Sequence, residues 1–167
     1  MIIRDDLAAD ILSIRFLITE AFRSAPHGSG TEAAIVEALR SAEALTLSLV
    51  AVEDSGEIVG HVAFSPVLID GGDAGWFGLG PVAVKPDRQR RGIGARLVRN
   101  GLDRLRETGA HGVVVLGDPV YYGRFGFRVP SNLRLPNVPA EYFMALGFGL
   151  ATPSGTVEYH SAFSATG

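Results

Sequence analysis

The spacing of apolar positions changes several times along this chain, and each change predicts an element. Ile2 and Ile3 read as a short opening strand. Over residues 8–22 the apolar side chains Ile11, Ile14, Leu17, Ile18, Ala21 and Phe22 fall at helical spacing. Asp6 or Asp10 is placed to cap that start. Residues 23–31, rich in Gly, Ser and Pro, predict a loop. Thr31 and Glu32 open a second helix with Ile35, Val36 and Leu39 on one face. From Thr46 the period shortens. Residues 47–52 and 58–68 read as strands joined by a turn at 54–57, an antiparallel hairpin. A turn at 70–73 leads to a third strand over 76–84, interrupted by Gly78, Gly80 and Pro81. Residues 92–108 are amphipathic, with Ile93, Leu97, Val98, Leu102 and Leu105 toward the core, and Gly109 stops the helix. The apolar run 113–116 predicts a buried strand. Asp118-Pro119 has the form of an N-cap with proline at the first helical position, and a short helix follows through Arg124. Residues 130–139 read as a loop, and 143–150 with 156–163 as a final hairpin.

With no repeat or linker in that order, residues 1–167 read as a single domain. The class is α/β (α+β): a mostly antiparallel sheet with flanking helices. One strand–helix–strand crossover runs from Val82 to Leu116 and is expected to be right-handed. Hydrophobic residues make up 47% of the 167 and charged residues 20%, which excludes a largely disordered chain. A net charge of −3 does not suggest nucleic acid as a partner. No apolar run approaches membrane-spanning length, and the N-terminus does not read as a secretory signal. No membrane partner is therefore expected, and a cytoplasmic location is. The chain contains no cysteine, which removes disulfides, thiolate metal sites and a cysteine nucleophile together. No metal is expected.

Charge changes the picture locally. Residues 85–99 hold Lys85, Arg88, Arg90, Arg91, Arg96 and Arg99 against Asp87 alone. Gly92 and Gly94 sit where a loop becomes a helix. Glycines allow close approach to the main chain, and the first helical N–H groups have no internal partner. The macrodipole is positive at the same end, so the junction predicts a phosphate or pyrophosphate site. A solvated basic helix face is the plainer alternative. A Walker loop is excluded, because Gly92-Ile93-Gly94-Ala95 lacks the Lys-Ser/Thr pair. A dinucleotide fold finds G-x-G here and Asp118 downstream. However, the third glycine position is Leu97, and seven residues separate Val84 from Gly92.

Gln89-Arg90-Arg91-Gly92-Ile93-Gly94 resembles Q/R-x-x-G-x-G/A, the pyrophosphate loop of the GNAT N-acetyltransferases. The likeness extends to Leu79-Gly80-Pro81-Val82-Ala83-Val84 before it and to Tyr121-Tyr122-Gly123-Arg124-Phe125-Gly126-Phe127 after it. It is greatest to small bacterial members that carry both signatures. The resemblance implies the GNAT fold, in which acetyl-CoA lies between two splayed parallel strands, here residues 82–84 and 113–116. A bulge at Gly80-Pro81 would start the splay. It implies that Val82, Ala83 and Val84 bind the cosubstrate, with the main chain of Val82 and Val84 taking the acetyl carbonyl and the pantetheine. Arg90, Arg91, Gly92, Ile93, Gly94 and Ala95 would hold the pyrophosphate through their amides, and Gln89 would brace the loop. Tyr122 is the expected acid toward the departing CoA thiolate, with Tyr121 as the alternative and aromatic packing as the plainer role. The acceptor amine would attack the thioester directly, without an acyl-enzyme.

The chain departs from the family pattern at two places. No carboxylate lies in Trp76-Phe77-Gly78-Leu79-Gly80, where members often carry a general base. His27, Glu32, His61, Asp118, Glu141, Glu158 and His160 are the substitutes to consider. Gly117-Asp118-Pro119 stands where many members carry an asparagine that contacts pantetheine. The acceptor, a small-molecule amine or a peptide or protein amine, would be met by residues 23–31, residues 129–142 and the inner face of Trp76-Phe77. Tyr142 and Phe143 would line a pocket, pack in the core or join a homodimer contact. A non-catalytic acyl-CoA sensor and a nucleotide-dependent oxidoreductase are the competing functions.

Overall fold

In the computed structural model, which describes residues 1–26, 28–149 and 152–166, the main sheet runs β1-β2-β3-β4-β5-β7. These strands are β1 (Ile2–Asp5), β2 (Leu47–Val52), β3 (Ile58–Ile69), β4 (Gly72–Val84), β5 (Gly112–Leu116) and β7 (Phe143–Gly147). The short β6 (Leu133–Arg134) pairs with β8 (Gly155–Tyr159), and β8 in turn pairs with the end of β3. Two-residue alternation sorts side chains between the faces. Leu49 and Ala51 of β2 join Leu97 and Val98 of α3 (Ile93–Glu107). Val50 and Val52 face Ile14, Ile18 and Val36 of α1 (Ile11–Arg23) and α2 (Glu32–Ser41). Each helix has one apolar stripe, so the sheet is covered on both sides.

The central feature is a fork between β4 and β5. These strands pair in parallel only over Trp76–Gly78 and Gly112–Val114. Beyond Gly78, β4 runs on to Val84 beside β3, while β5 continues to Leu116 beside β7. The β3–β4 register places Val62 opposite Val82 but Phe64 opposite Leu79, so β4 carries one extra residue. The extra residue falls at Gly80-Pro81, where Gly80 has φ of +135°. Such a bulge bends a strand away from its neighbour.

Several boundaries differ from expectation. The segment expected to run from 143 to 150 and the one from 156 to 163 are not a hairpin. β7 adds to β5, and β8 adds to β3 and β6. Burial decides this: Met144 packs beside Val113 and Val115, whereas Val157 packs beside Val67 and Leu133. Leu150 lies outside the described residues. The loop at 130–139 contains β6, because Leu133 is buried. β4 begins at Gly72, because Asp70 and Gly71, both at positive φ, make a two-residue turn. A 3-10 turn, Ala8–Asp10, precedes α1. The Asp10 side chain does not cap α1. It accepts from Leu7 N and Arg4 Nη1, both at 2.7 Å, and ties the helix start to β1. Among the described residues, no helix is long and apolar enough to cross a membrane.

Candidate active site

The fork exposes the main chain of β4. Lys85 N–H donates to Val59 O across β3 at 2.9 Å. Successive residues of a strand direct their polar groups to opposite sides, so Val82 and Val84 point theirs away from β3 and into the gap. Gln89 Nε2 reaches back to donate to Val84 O at 3.1 Å, which folds the loop against the strand end. A 3-10 turn, Pro86–Arg88, reverses the chain, and Arg90 and Gly92 adopt φ of 64° and 83°. No side chain caps α3, and the first N–H bonded within the helix is that of Arg96, to Gly92 O. The N–H groups of Ile93, Gly94 and Ala95 therefore lack an intrahelical partner at the positive end of the helix dipole.

The basic character of this segment is narrower than the sequence suggests. Lys85 pairs with Glu57 at 2.7 Å, and Arg88 pairs with Glu53 at 2.6 Å and Asp87 at 2.8 Å. Both cations thus serve the turn. Arg99 lies over the Phe125 ring. Arg90 lines a cleft of about 620 Å³ with Val82, Val84, Gln89, Gly92, Ile93, Gly94 and Ala95. Of the expected binding residues, Ala83 and Arg91 stand apart from that lining. Ala83 is buried toward α1, and Arg91 is exposed on the loop.

The opposite wall comes from α4 (Pro119–Gly123). Asp118 accepts from Val120 N at 2.9 Å, the expected N-cap, and Pro119 takes the first helical position. Tyr121, Tyr122 and Arg124 face the cleft. The Tyr122 ring lies over Gly117, where a Cβ would come within 2.4 Å of a ring carbon, and it meets Phe127 edge-on. Burial pushes its phenol well above the ordinary tyrosine value, so it remains protonated. The Tyr121 hydroxyl is 3.0 Å from where a Gly94 Cβ would stand, and thus sits at the start of α3. Arg124 stacks over Tyr121 at 4.5 Å from the ring centroid. Arg124 was not singled out from the sequence, although its place in Tyr121-Tyr122-Gly123-Arg124 is a signal for it.

The substitute bases fare differently. His61 is fully buried on the α1 side, and burial lowers its pKa to about 4. Burial raises Glu32, but hydrogen bonds from Ser29 and Gly30 outweigh it and lower the pKa; the carboxylate is engaged in capping its own loop. Asp118 caps α4. His160 Nδ1 accepts from Ala162 N. Glu141 and Glu158 are exposed, and His27 lies outside the described residues. None of the six described groups lines the cleft. Trp76 does not present an inner face to an acceptor either. It is 2% exposed, with its indole over Gly112. Phe143 is core, whereas Tyr142 is 45% exposed.

The sequence pattern of the Acetyltransferase (GNAT) family matches residues 12–127. The chain belongs to the GNAT acetyltransferases. It is 38% identical to the uncharacterised N-acetyltransferase YhbS of Escherichia coli K12 over 98% of this chain and 99% of that one. A GNAT acetyltransferase of Brucella melitensis, crystallised with acetyl-CoA, superposes with a TM-score of 0.87 at 50% identity, covering 97% of both chains. The crystal structure of YhbS with CoA superposes at 0.90 and 38% identity, covering 99% of this chain and 93% of that one. The fold and cosubstrate class implied by the loop motif thus agree with the family. The dinucleotide reading fails on the sheet: among the described residues only β4–β5 and the two-residue β6–β8 ladder are parallel.

Proposed function

We propose that this protein transfers the acetyl group of acetyl-CoA to a primary amine by direct attack in a ternary complex. The observation that carries the reading is the fork, with a free β4 edge that ends in an anion loop. In this reading the pyrophosphate rests on the loop amides from Arg90 to Ala95, with Gln89 as the brace. Pantetheine takes a strand's place along Val82 and Val84, and the thioester reaches toward Gly78. The amine lone pair attacks the thioester carbonyl, the new N–C bond forms, and the C–S bond breaks. The oxyanion formed on the way is met by main-chain N–H near Val82. The thiolate takes a proton from Tyr122, which is replenished from solvent, and the proton on nitrogen leaves to water. A thiol needs only a weak acid, and a phenol kept neutral by burial is one. The acceptor is a small-molecule amine or a peptide or protein amine.

The test pairs calorimetric titration of acetyl-CoA, CoA and NAD with thiol release across a panel of amines. With no cysteine in the chain, a thiol reagent reads CoA alone. Binding of both CoA species and not NAD, followed by amine-dependent thiol release, is expected. Tyr122→Phe should keep acetyl-CoA affinity within about twofold and reduce kcat by roughly a hundredfold. One observation favours a second reading. None of the six described substitute bases lines the cleft, as suits a non-catalytic acyl-CoA sensor. Tight CoA binding without turnover, indifferent to Tyr122→Phe, would select it.

A further inference from the structure

The fork has a second aromatic hydroxyl on its other side. Phe77 and Leu79 of β4 pack with the α3 face, so Gly78 between them directs its Cβ position to the α1 face. That position is occupied: a Cβ on Gly78 would lie 2.4 Å from the Tyr159 ring and 3.2 Å from Val67. Tyr159 stands opposite Val67 in the β3–β8 ladder, and its side chain crosses β3 to cover Gly78. Gly78 is also the last residue of β4 paired with β5, so this ring lies where the fork opens. Phe163 stacks on the ring at 5.0 Å and holds its plane. Ser65, directly opposite Gly78 on the same face, has a buried hydroxyl with no hydrogen-bond partner among the described residues.

Tyr122 approaches from the α3 face, over Gly117 just beyond the end of β5. The two phenols therefore flank the fork from opposite faces. Burial raises the Tyr159 pKa, so it too is held as a neutral phenol. A cosubstrate lying along Val82 and Val84 from the α3 loop occupies one face. The nucleophile must then arrive through the fork from the other, where Tyr159 is partly exposed.

We propose that Tyr159 is the acceptor-side residue of this enzyme: its hydroxyl oxygen accepts an N–H of the incoming amine and aims the nitrogen lone pair at the thioester carbonyl. The two tyrosines thus divide the reaction, Tyr122 serving the departing sulfur and Tyr159 the attacking nitrogen. Tyr159 stays a neutral phenol throughout and takes no proton, so the balance of the transfer step is as written above. The amine is neutral at that point, since an ammonium has no lone pair to aim.

This inference rests on the transferase reading, and the experiment separates the two. Hydroxylamine is the probe, a nucleophile small enough to need no side-chain pocket. Thiol release from acetyl-CoA is followed above the uncatalysed background for the wild type, Tyr159→Phe and Tyr122→Phe. Phenylalanine keeps the ring on Gly78 and removes only the hydroxyl. Tyr159→Phe should lower kcat/KM for hydroxylamine about tenfold, the loss of one good hydrogen bond, with the acetyl-CoA dissociation constant within twofold of wild type. Tyr122→Phe should instead lower kcat and leave the hydroxylamine KM unchanged. Wild-type turnover unaltered by Tyr159→Phe would overturn the assignment and leave the transferase reading intact. So would a loss of acetyl-CoA affinity that accounts for the whole effect. Acetyl-CoA binding with no release above background in the wild type would remove the transferase reading, and this assignment with it.

Discussion

Two regions of the molecule look chemically promising, and they are built in opposite ways. At one corner of the sheet, Arg40 Nη2 and Ser48 Oγ both donate to Asp6 Oδ2, at 2.7 and 2.6 Å, and Ser48 Oγ lies 2.8 Å from His61 Nε2. The fork has no such side-chain relay. Its polar groups are main-chain N–H and C=O, Gln89, Arg90, Arg124 and the phenols of Tyr121, Tyr122 and Tyr159. Serine, histidine and aspartate in one chain of hydrogen bonds suggest catalysis, but here the order is wrong. Serine hydrogen-bonds the carboxylate, so its single proton is committed, and His61 Nε2 must donate to it rather than take a proton from it. His61 Nδ1 is left buried without a partner among the described residues, and the ring is fully enclosed. The corner is a structural knot between β1, β2, β3 and α2. The difference teaches that catalytic residue types are weaker evidence than unsatisfied, accessible main-chain groups.

The largest expected effect comes from disabling the fork. Gly92 has φ of 83° with open space around its Cβ position, so a substitution there meets backbone strain rather than a clash. Gly92→Asp adds a negative charge beside the anion loop. Acetyl-CoA affinity should fall by a hundredfold or more, about 2.7 kcal/mol, in a calorimetric titration. The same substitution should leave the corner untouched, visible as an unchanged pH dependence of unfolding.

That pH dependence belongs to the corner and is the next largest effect. Burial first, and Arg40 after it, lower His61 to about 4, while Asp6 pulls the other way. In the unfolded chain an ordinary histidine titrates near 6.5. Between these values the unfolded state binds the extra proton. Stability is therefore fully present above pH 6.5 and is lost as pH falls toward 4. Denaturant unfolding at pH 7 and pH 5 should differ by roughly 2 kcal/mol from this residue. His61→Gln should start less stable at pH 7 and lose that part of the slope. Acetyl-CoA affinity at pH 7 should stay within about twofold in the variant. A large loss of affinity would mean that the corner and the fork are not independent.

The contrast also explains what could be read from the sequence. The loop and α3 were legible because everything that makes them is contiguous: Gln89 braces Val84 five residues away, and the apolar stripe of α3 repeats within fifteen residues. The α4 cap is equally local. The other face of the fork was not. Tyr159 reaches Gly78 across β3, through a β3–β8 pairing that an expected β7–β8 hairpin concealed. Alternation marks a strand but does not name its neighbour. The charge of residues 85–99 misled for the same reason, since the carboxylates that pair Lys85 and Arg88 lie on the preceding hairpin at Glu53 and Glu57.

That misreading yields the smallest prediction and the finest test of the comparison. Arg88 and Arg90 are two residues apart, and the sequence does not distinguish them. The structure gives Arg88 to Glu53 and Asp87, and gives Arg90 to the cleft. Arg90→Ala should weaken acetyl-CoA binding about fivefold at low salt, and the difference should shrink as ionic strength rises, because the loop is open to solvent. Arg88→Ala should change affinity by less than about threefold. It removes a cation but also releases two carboxylates near the loop, so any change should be a loss that salt reduces. Its cost to stability should be small, because solvent screens the ion pair. If Arg88→Ala weakened binding as much as Arg90→Ala, the loop would act through its summed charge. The unequal result is expected, because a cation whose charge is already met by fixed carboxylates contributes little field at the phosphate, however close it stands in the sequence.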